Sequence, residues 1–373
     1  AGAGILGYAE NEVVGRSVHD LFGRNPGILA LVEDVMTTNE SGALMDVDLR
    51  TGIEGAELVS VNVTAVPLRI ETKDEGTILL LENISNEKRV RSTMARYMDP
   101  ELADRLVRGG EDILGGANAI VTLLFTDIRG FTTLTEQLGP QATVSMLNEY
   151  FTLMVDCIQQ EGGMLDKFIG DAIMAAFGLP QPGPDDEDRA VRTAIAMIRS
   201  LDEWNASRVA DGKPAIGMRT GINTDAVVAG NIGSPKRMDF TMIGDGVNLA
   251  ARLESACKQY NAQILISDLT HRKLRGVYRT REGDRVVVKG KSEPVAVHEV
   301  LDYHTDATVP NLMDVVNDFR DGIGSYRRGA WDTAIASFRR CLDAHPGDAL
   351  SAIYVDRCEQ LRAAPPAQWD GVW

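Results

Sequence analysis

The sequence is short of cysteine, of positive charge and of long apolar runs, and each shortage excludes something. Four cysteines, Cys157, Cys257, Cys341 and Cys358, are scattered over 373 residues without a CxxC pair. That density excludes a disulfide-built scaffold and fits a reducing, cytosolic setting. Lys and Arg number 38 against 54 Asp and Glu, for a formal net charge of −16. Such a chain does not bind nucleic acid through bulk electrostatics and is repelled by anionic membranes. Any polyphosphate ligand must then be held by local cations or metal ions. The longest apolar runs, such as ILLL at 78–81, are too short to span a bilayer. No secretory signal pattern opens the chain. It begins with Ala1 rather than methionine, which suggests a piece of something longer, and a missing upstream part has room for further sensor domains or a membrane anchor.

What is present is ordinary globular material, 44% apolar and 25% charged, enough for two or three domains with real cores. Residues 1–84 carry glycine-broken helical pieces, then the alternating strands LMDVDLR, ELVSVNVTAVPLR and GTILLLENIS. The period-two pattern of Val59, Val61, Val63 and Ala65 predicts a half-exposed antiparallel sheet. In GYAENEVVGRSVHDLF and GTILLLENISNEKR this block resembles a PAS sensor domain whose usual first strands are absent. It contains no cysteine, which excludes a flavin–cysteine photoadduct, and His19 is its only histidine, read as a surface or packed residue.

Residues 85–116 read as a charged helical linker. Val90, Met94 and Tyr97 form a stripe, Asp99-Pro100 restarts a helix, and Leu102 and Leu106 continue it. The segment is either a plain linker helix or a short parallel coiled coil that joins two protomers. Residues 306–373 change character again. Tyr326, Gly329, Trp331, Ala334, Phe338 and Pro346 have tetratricopeptide-like spacing over about one and a half repeats. Too few repeats stand here for independent stability, so this tail is expected to lean on its neighbour, with the tryptophans of PPAQWDGVW docked.

Residues 117–305 hold the chemistry. AIVTLLFTD is a near-continuous apolar run ending in a carboxylate, as a buried central strand would be. A long helix begins near Pro140 with Val144, Leu147, Phe151, Met154, Val155 and Ile158 on one face. The hairpin DKFIGDAIMAAF follows, then a helix through Val191, Ile195, Ile198 and Leu201. After these come strands at 216–223 and 226–233, a strand running into a helix at about Asp245, and further strands. The order predicts an α+β domain of ferredoxin-like, βαββαβ palm type.

Asp127 and Asp171 each end a strand beside a glycine-containing loop. If the first and second strands are neighbours, the two carboxylates meet at one sheet edge. Converging carboxylates repel unless neutralised, and two divalent ions with oxygen ligands would do this. The loop IRGFT runs into a helix start whose N–H groups suit phosphate. Residue types alone leave open a structural acidic edge against metal-assisted phosphoryl chemistry.

FTDIRGFT, KFIGD, DFTMIGDGVNLAARLE and VKGK, in this order and spacing, resemble the class III nucleotidyl cyclase catalytic domain. The resemblance implies Asp127 and Asp171 as metal ligands with the Ile128 carbonyl, holding two Mg²⁺ or Mn²⁺ ions. It implies Phe131 and Thr132 in the phosphate loop and Lys167 and Thr241 as purine readers. Asn248 orients the ribose, Arg252 stabilises the transition state, and Lys289 contacts the triphosphate, with Lys291 a competitor. Asn248 and Arg252 stand four apart and share one helical face; an Arg252 ion pair with Glu254 or another neighbour gives way because Asn248, Gly244 and Thr241 are all in register with Arg252. In the family the site lies between two catalytic domains arranged head to tail, so Lys167 and Asp171 serve different sites of a homodimer. Lysine suits ATP, where guanylyl cyclases usually place glutamate. Threonine at 241 departs from the common aspartate and resembles a subgroup often stimulated by bicarbonate. The expectation is a cytoplasmic adenylate cyclase making 3′,5′-cyclic AMP; the rivals are a guanylate cyclase and a cyclase-like nucleotide sensor without turnover.

Overall fold

The computed structural model describes residues 2–51, 58–70, 73–86, 88–89, 116–234, 237–286 and 295–371. The chain divides into two units, Ala1–Arg108 and Gly109–Trp373. The linker stripe from Val90 to Leu106, and Lys289 and Lys291, lie outside the described residues.

The first unit places four helices, Gly2–Leu6 (α1), Glu10–Val13 (α2), Val18–Phe22 (α3) and Pro26–Thr38 (α4), before an antiparallel sheet. Its strands, Gly42–Leu49 (β1), Val59–Ile70 (β2) and Lys73–Asn83 (β3), lie in the order β1-β2-β3. Val61, Val63 and Ala65 face inward and are fully buried. Pro26 begins α4, where a missing N–H costs nothing. The preceding Asn25 side chain ties the helix start to the sheet, donating to the Arg50 carbonyl at 3.0 Å and accepting from its N–H at 2.8 Å.

The second unit is built on the eight-stranded sheet β10-β11-β9-β7-β4-β6-β5, with β8 paired to β7. The strands are Ala117–Ile128 (β4), Met164–Ile169 (β5), Ala172–Phe177 (β6), Met218–Ser234 (β7), Arg237–Ile243 (β8), Ile264–Ser267 (β9), Thr280–Val286 (β10) and Val295–Val300 (β11). Its helices are Phe131–Leu138 (α5), Pro140–Gln160 (α6), Asp186–Ala210 (α7), Asp245–Tyr260 (α8) and Asp268–Lys273 (α9). β4, β5, β6 and β7 are the four strands of a βαββαβ palm in the spatial order β5-β6-β4-β7. The first strand therefore neighbours the third, β6, and not the second, which the strand order in the sequence suggests. The hairpin strand fills the gap that the crossover helix α6 leaves, and Asp171 reaches Asp127 because it stands in the turn just before β6.

Central strands are apolar on both faces, and β4 shows why. Leu124 and Ile128 join the core under α6 and α7, while Val121, Leu123 and Phe125 join the core with Val227, Met242 and Ala250. Fully burying a side chain of this size contributes roughly 1.5–3 kcal/mol. The buried face of α6 runs through Met146, Tyr150, Met154, Cys157 and Ile158, whereas Val144 is 58% exposed. The expected stripe was thus rotated toward Leu147 and Phe151, which flank the core rather than fill it. The two strands expected at 216–223 and 226–233 are one 17-residue strand, β7; no Gly or Pro turn interrupts Asn223-Thr224-Asp225, so pairing continues.

Gly221 sets the seat of α8. A Cβ there would lie 2.2 Å from the Glu254 nitrogen and 2.4 Å from the Ala250 oxygen, so helix backbone rests directly on strand backbone. The other side of α8, through Leu249, Leu253, Cys257 and Tyr260, is covered by the tail. That tail is three helices, Leu312–Arg327 (α10), Trp331–Ala344 (α11) and Ala349–Ala363 (α12). Buried charge pairs fasten it to the sheet edge. Arg281 of β10 bonds Asp348 at 2.7 and 2.8 Å and Glu299 at 2.8 Å, and Arg357 of α12 bonds Asp284 at 2.9 Å. Trp369 donates its indole N–H to the Tyr326 carbonyl at 3.0 Å.

Candidate active site

Asp127 ends the buried run of β4, one residue past Thr126, which pairs with Ile173 at the start of β6. Across the β5–β6 turn Ile169 pairs with Ala172, leaving Gly170-Asp171 as a two-residue loop. Gly170 takes the positive φ of 65° that the first position of such a loop favours. The strand end and the hairpin tip thereby bring two carboxyl groups together. Burial raises the Asp171 carboxyl to about 7, the contact and charge of Asp127 add to this, and the Asp171 and Ile128 backbone groups oppose it. One oxygen of Asp171, Oδ2, is buried with no hydrogen-bond partner. Beneath the pair lies Tyr150, fully buried on α6, its phenol raised by burial and then by both aspartates. A buried, unpartnered carboxylate oxygen beside a second carboxylate is a hard-oxygen donor set that suits Mg²⁺ or Mn²⁺.

The same strand end turns through Gly130, at φ 68°, into α5, whose start has no side-chain cap. Its first N–H groups are left for an outside acceptor. Phe131 packs on the main core, and Thr132 is exposed. Arg129, which the sequence reading passed over, pins the loop. Its N–H donates to the Gly217 carbonyl at 2.8 Å and its guanidinium to Asn261 Oδ1 at 3.0 Å. The arginine of FTDIRGFT was visible, but nothing local said that its partners lay beyond α7 and α8.

Lys167 and Thr241 come together on a third residue. The Lys167 ammonium lies 3.6 Å from Asp166 Oδ2, and the Thr241 hydroxyl donates to the same oxygen at 3.3 Å. Asp171, four residues further along, has Asp127 and backbone groups as its electrostatic neighbours instead. Asp166 too was missed. It stands in the quoted hairpin, but its orientation depends on a register shift between Leu165 and Lys167 that no residue type announces.

Asn248 and Arg252 lie on the exposed side of α8. The first turn of that helix is held to β7 by Asn223, whose buried amide donates to the Gly246 carbonyl at 3.0 Å. Glu254 on the same helix is within electrostatic reach of Asp127. Burial raises its carboxyl, the charge of Asp127 adds to this, and Ser255 and Arg219 oppose it.

The model of the Adenylate and Guanylate cyclase catalytic domain matches residues 117–302. A terminal-differentiation specific adenylate cyclase of Dictyostelium discoideum is 34% identical over 280 residues, 73% of this chain and 13% of that protein. An adenylate cyclase of Anabaena cylindrica is 34% identical over 265 residues, 68% of this chain and 49% of that one. The solved structure of a bacterial light-regulated adenylyl cyclase aligns with a TM-score of 0.53 at 25% identity, over 60% of this chain and 64% of its own. The chain thus spans about half or less of these two curated relatives. Among the described residues no helix is long and apolar enough to cross a membrane.

Proposed function

Through residues 117–302 the chain belongs to the adenylate and guanylate cyclase catalytic-domain family, and on that footing we propose that it is an adenylate cyclase. It converts ATP to 3′,5′-cyclic AMP and pyrophosphate at the interface of a homodimer. The observation that carries this reading is the contact of Asp127 with Asp171, with a buried oxygen of Asp171 left without a partner.

In the reaction the 3′-hydroxyl attacks the α-phosphate in line and pyrophosphate leaves. Asp127, Asp171 and the Ile128 carbonyl would hold two divalent ions. When bound, these supply the positive charge that acidifies the hydroxyl and screens the leaving group. The uncapped start of α5, at Phe131 and Thr132, donates its N–H groups to phosphate oxygens. Arg252 of the opposite protomer meets the charge that grows at the α-phosphate; losing such a group costs on the order of a hundredfold or more in rate. Asn248, one turn earlier, orients the ribose. Lys167 donates to adenine N1, Thr241 reads the amino edge, and Lys289 contacts the triphosphate.

Two features support the dimer. Lys167 is engaged by Asp166 and Asp171 by Asp127 rather than by each other, as a hairpin whose cation serves one site and whose carboxylate serves another requires. Large apolar side chains also stand in water on the elements that carry the purine readers: Phe168 at 44% and Ile169 at 50% on β5, Met238 at 47% and Ile243 at 55% on β8. The first unit, read as a PAS-like sensor, and the linker would set how the two catalytic halves meet. The TPR-like tail braces α8, and bicarbonate is the small activator that Thr241 suggests.

The test is turnover of Mg- or Mn-ATP and of the GTP complexes by purified protein as its concentration rises. Cyclic AMP formation per subunit should increase until dimers saturate. A strong GTP preference would turn the reading to a guanylate cyclase, and nucleotide binding without turnover to a sensor module.

A further inference from the structure

Asp166 is a buried carboxylate with no role in the reading so far. A register shift between Leu165 and Lys167 sets an extra residue of β5 against β6, and Asp166 stands in it. Its side chain is 1% exposed, with Oδ2 3.6 Å from the Lys167 ammonium. The same oxygen accepts the Thr241 hydroxyl at 3.3 Å, and Oδ1 is buried with no partner. Burial raises this carboxyl, Lys167 and Thr241 hold it down, and Asp239 nearby adds to the rise.

A threonine hydroxyl has one proton and can donate or accept as its surroundings require. Alone at position 241 it could accept from the amino group of adenine or, after turning, donate to the carbonyl oxygen of guanine. The contact with Asp166 removes that choice. A carboxylate can only accept, so it accepts the Thr241 O–H as a hydrogen bond and leaves the hydroxyl lone pairs for the ligand. Lys167, held by the same carboxylate, can only donate. An acceptor beside a fixed donor matches the amino group and N1 of adenine and opposes the carbonyl and N1–H of guanine.

We propose that Asp166 is the specificity-determining residue of the purine pocket, a positioning residue that fixes Thr241 as an acceptor and Lys167 as a donor and so selects ATP over GTP. This rests on the reading of Lys167 and Thr241 as purine readers.

The experiment compares kcat/KM for Mn-ATP and Mn-GTP in the parent, Asp166→Asn and Thr241→Val. The affinity ratio for non-hydrolysable ATP and GTP analogues, measured by calorimetry, gives a readout that needs no turnover. An amide at 166 can donate to Thr241, freeing its proton for the base. Asp166→Asn should therefore lower the ATP-to-GTP ratio about tenfold or more in both measurements, while Thr241→Ser, which keeps the hydroxyl, should preserve it. A folded, dimeric Asp166→Asn with the parent's ratio would overturn the proposal. If that variant does not fold, Thr241→Val decides: a lowered ratio supports the proposal and an unchanged one overturns it. A parent that binds ATP analogues selectively but forms no cyclic AMP would defeat the cyclase reading alone, and the affinity ratios would still judge Asp166.

Discussion

The carboxyl groups of Asp127 and Asp171 lie against each other, one at the end of β4 and the other at the tip of the β5–β6 hairpin. Two like charges held together in partial burial cost the fold stability until something neutralises them. Activity and stability should therefore separate here. Asp171→Asn should abolish cyclic AMP formation by a hundredfold or more, yet leave the melting temperature in chelator equal to the parent's or higher. A clear drop in chelator would mean that the pair is a structural anchor.

The proton on Asp171 gives a sign for the pH dependence. Burial, with the contact and charge of Asp127, raises its folded-state value to about 7. The metal-free fold therefore holds a proton that the unfolded chain releases in the ordinary carboxylate range. That contribution to stability is complete at low pH and is lost as pH rises through 7. Divalent cations compete with the same proton. Mn²⁺ affinity should weaken about tenfold per pH unit below 7 and level off above it. Titrations followed by the paramagnetic signal of free Mn²⁺ would check this, and an affinity that does not change with pH would contradict it.

If the site is shared between protomers, two dead chains should revive each other. Asp127→Ala lacks the metal-binding half and Arg252→Ala the half that meets the transition state. Mixed in equal amounts with free exchange, half the dimers are heterodimers with one intact site of two. About a quarter of parental activity should then return. No recovery, with subunit exchange shown independently, would place the whole site within one chain.

Gly221 has no room for a methyl group, because a Cβ would meet the α8 backbone at 2.2 Å. Gly221→Ala should cost about 1–3 kcal/mol or more and shift the helix that carries Asn248 and Arg252. Urea denaturation should show the lost stability, and the rate should fall beyond what the unfolded fraction explains. A variant as stable as the parent would argue that α8 is not seated on β7.

The tail is held by charge as well as by apolar packing. Arg357 bonds the buried Asp284, which also accepts from the Tyr260 hydroxyl at 2.9 Å. Arg357→Met removes the buried cation that Asp284 bonds and should destabilise the second unit by about 3 kcal/mol. The double variant with Asp284→Leu should recover much of the loss. An additive double variant would show that the two groups do not interact.

Much of the candidate site was legible because it is written in short segments. The i, i+4 phase of Asn248 and Arg252, the Gly170-Asp171 turn, the strand ending in Asp127 and the Gly130 helix start each depend on a few consecutive residues, whose backbone preferences and periodicity are local physics. Tertiary structure decided what those segments meet. It set β6 rather than β5 beside β4, ran 216–233 into one strand, turned α6 so that Tyr150 lies under the aspartates, and brought Thr241 onto Asp166. Such choices depend on which distant surface covers which face, and on a register shift whose cost is repaid only by partners far along the chain. Spacing in a single sequence records the faces and not their partners.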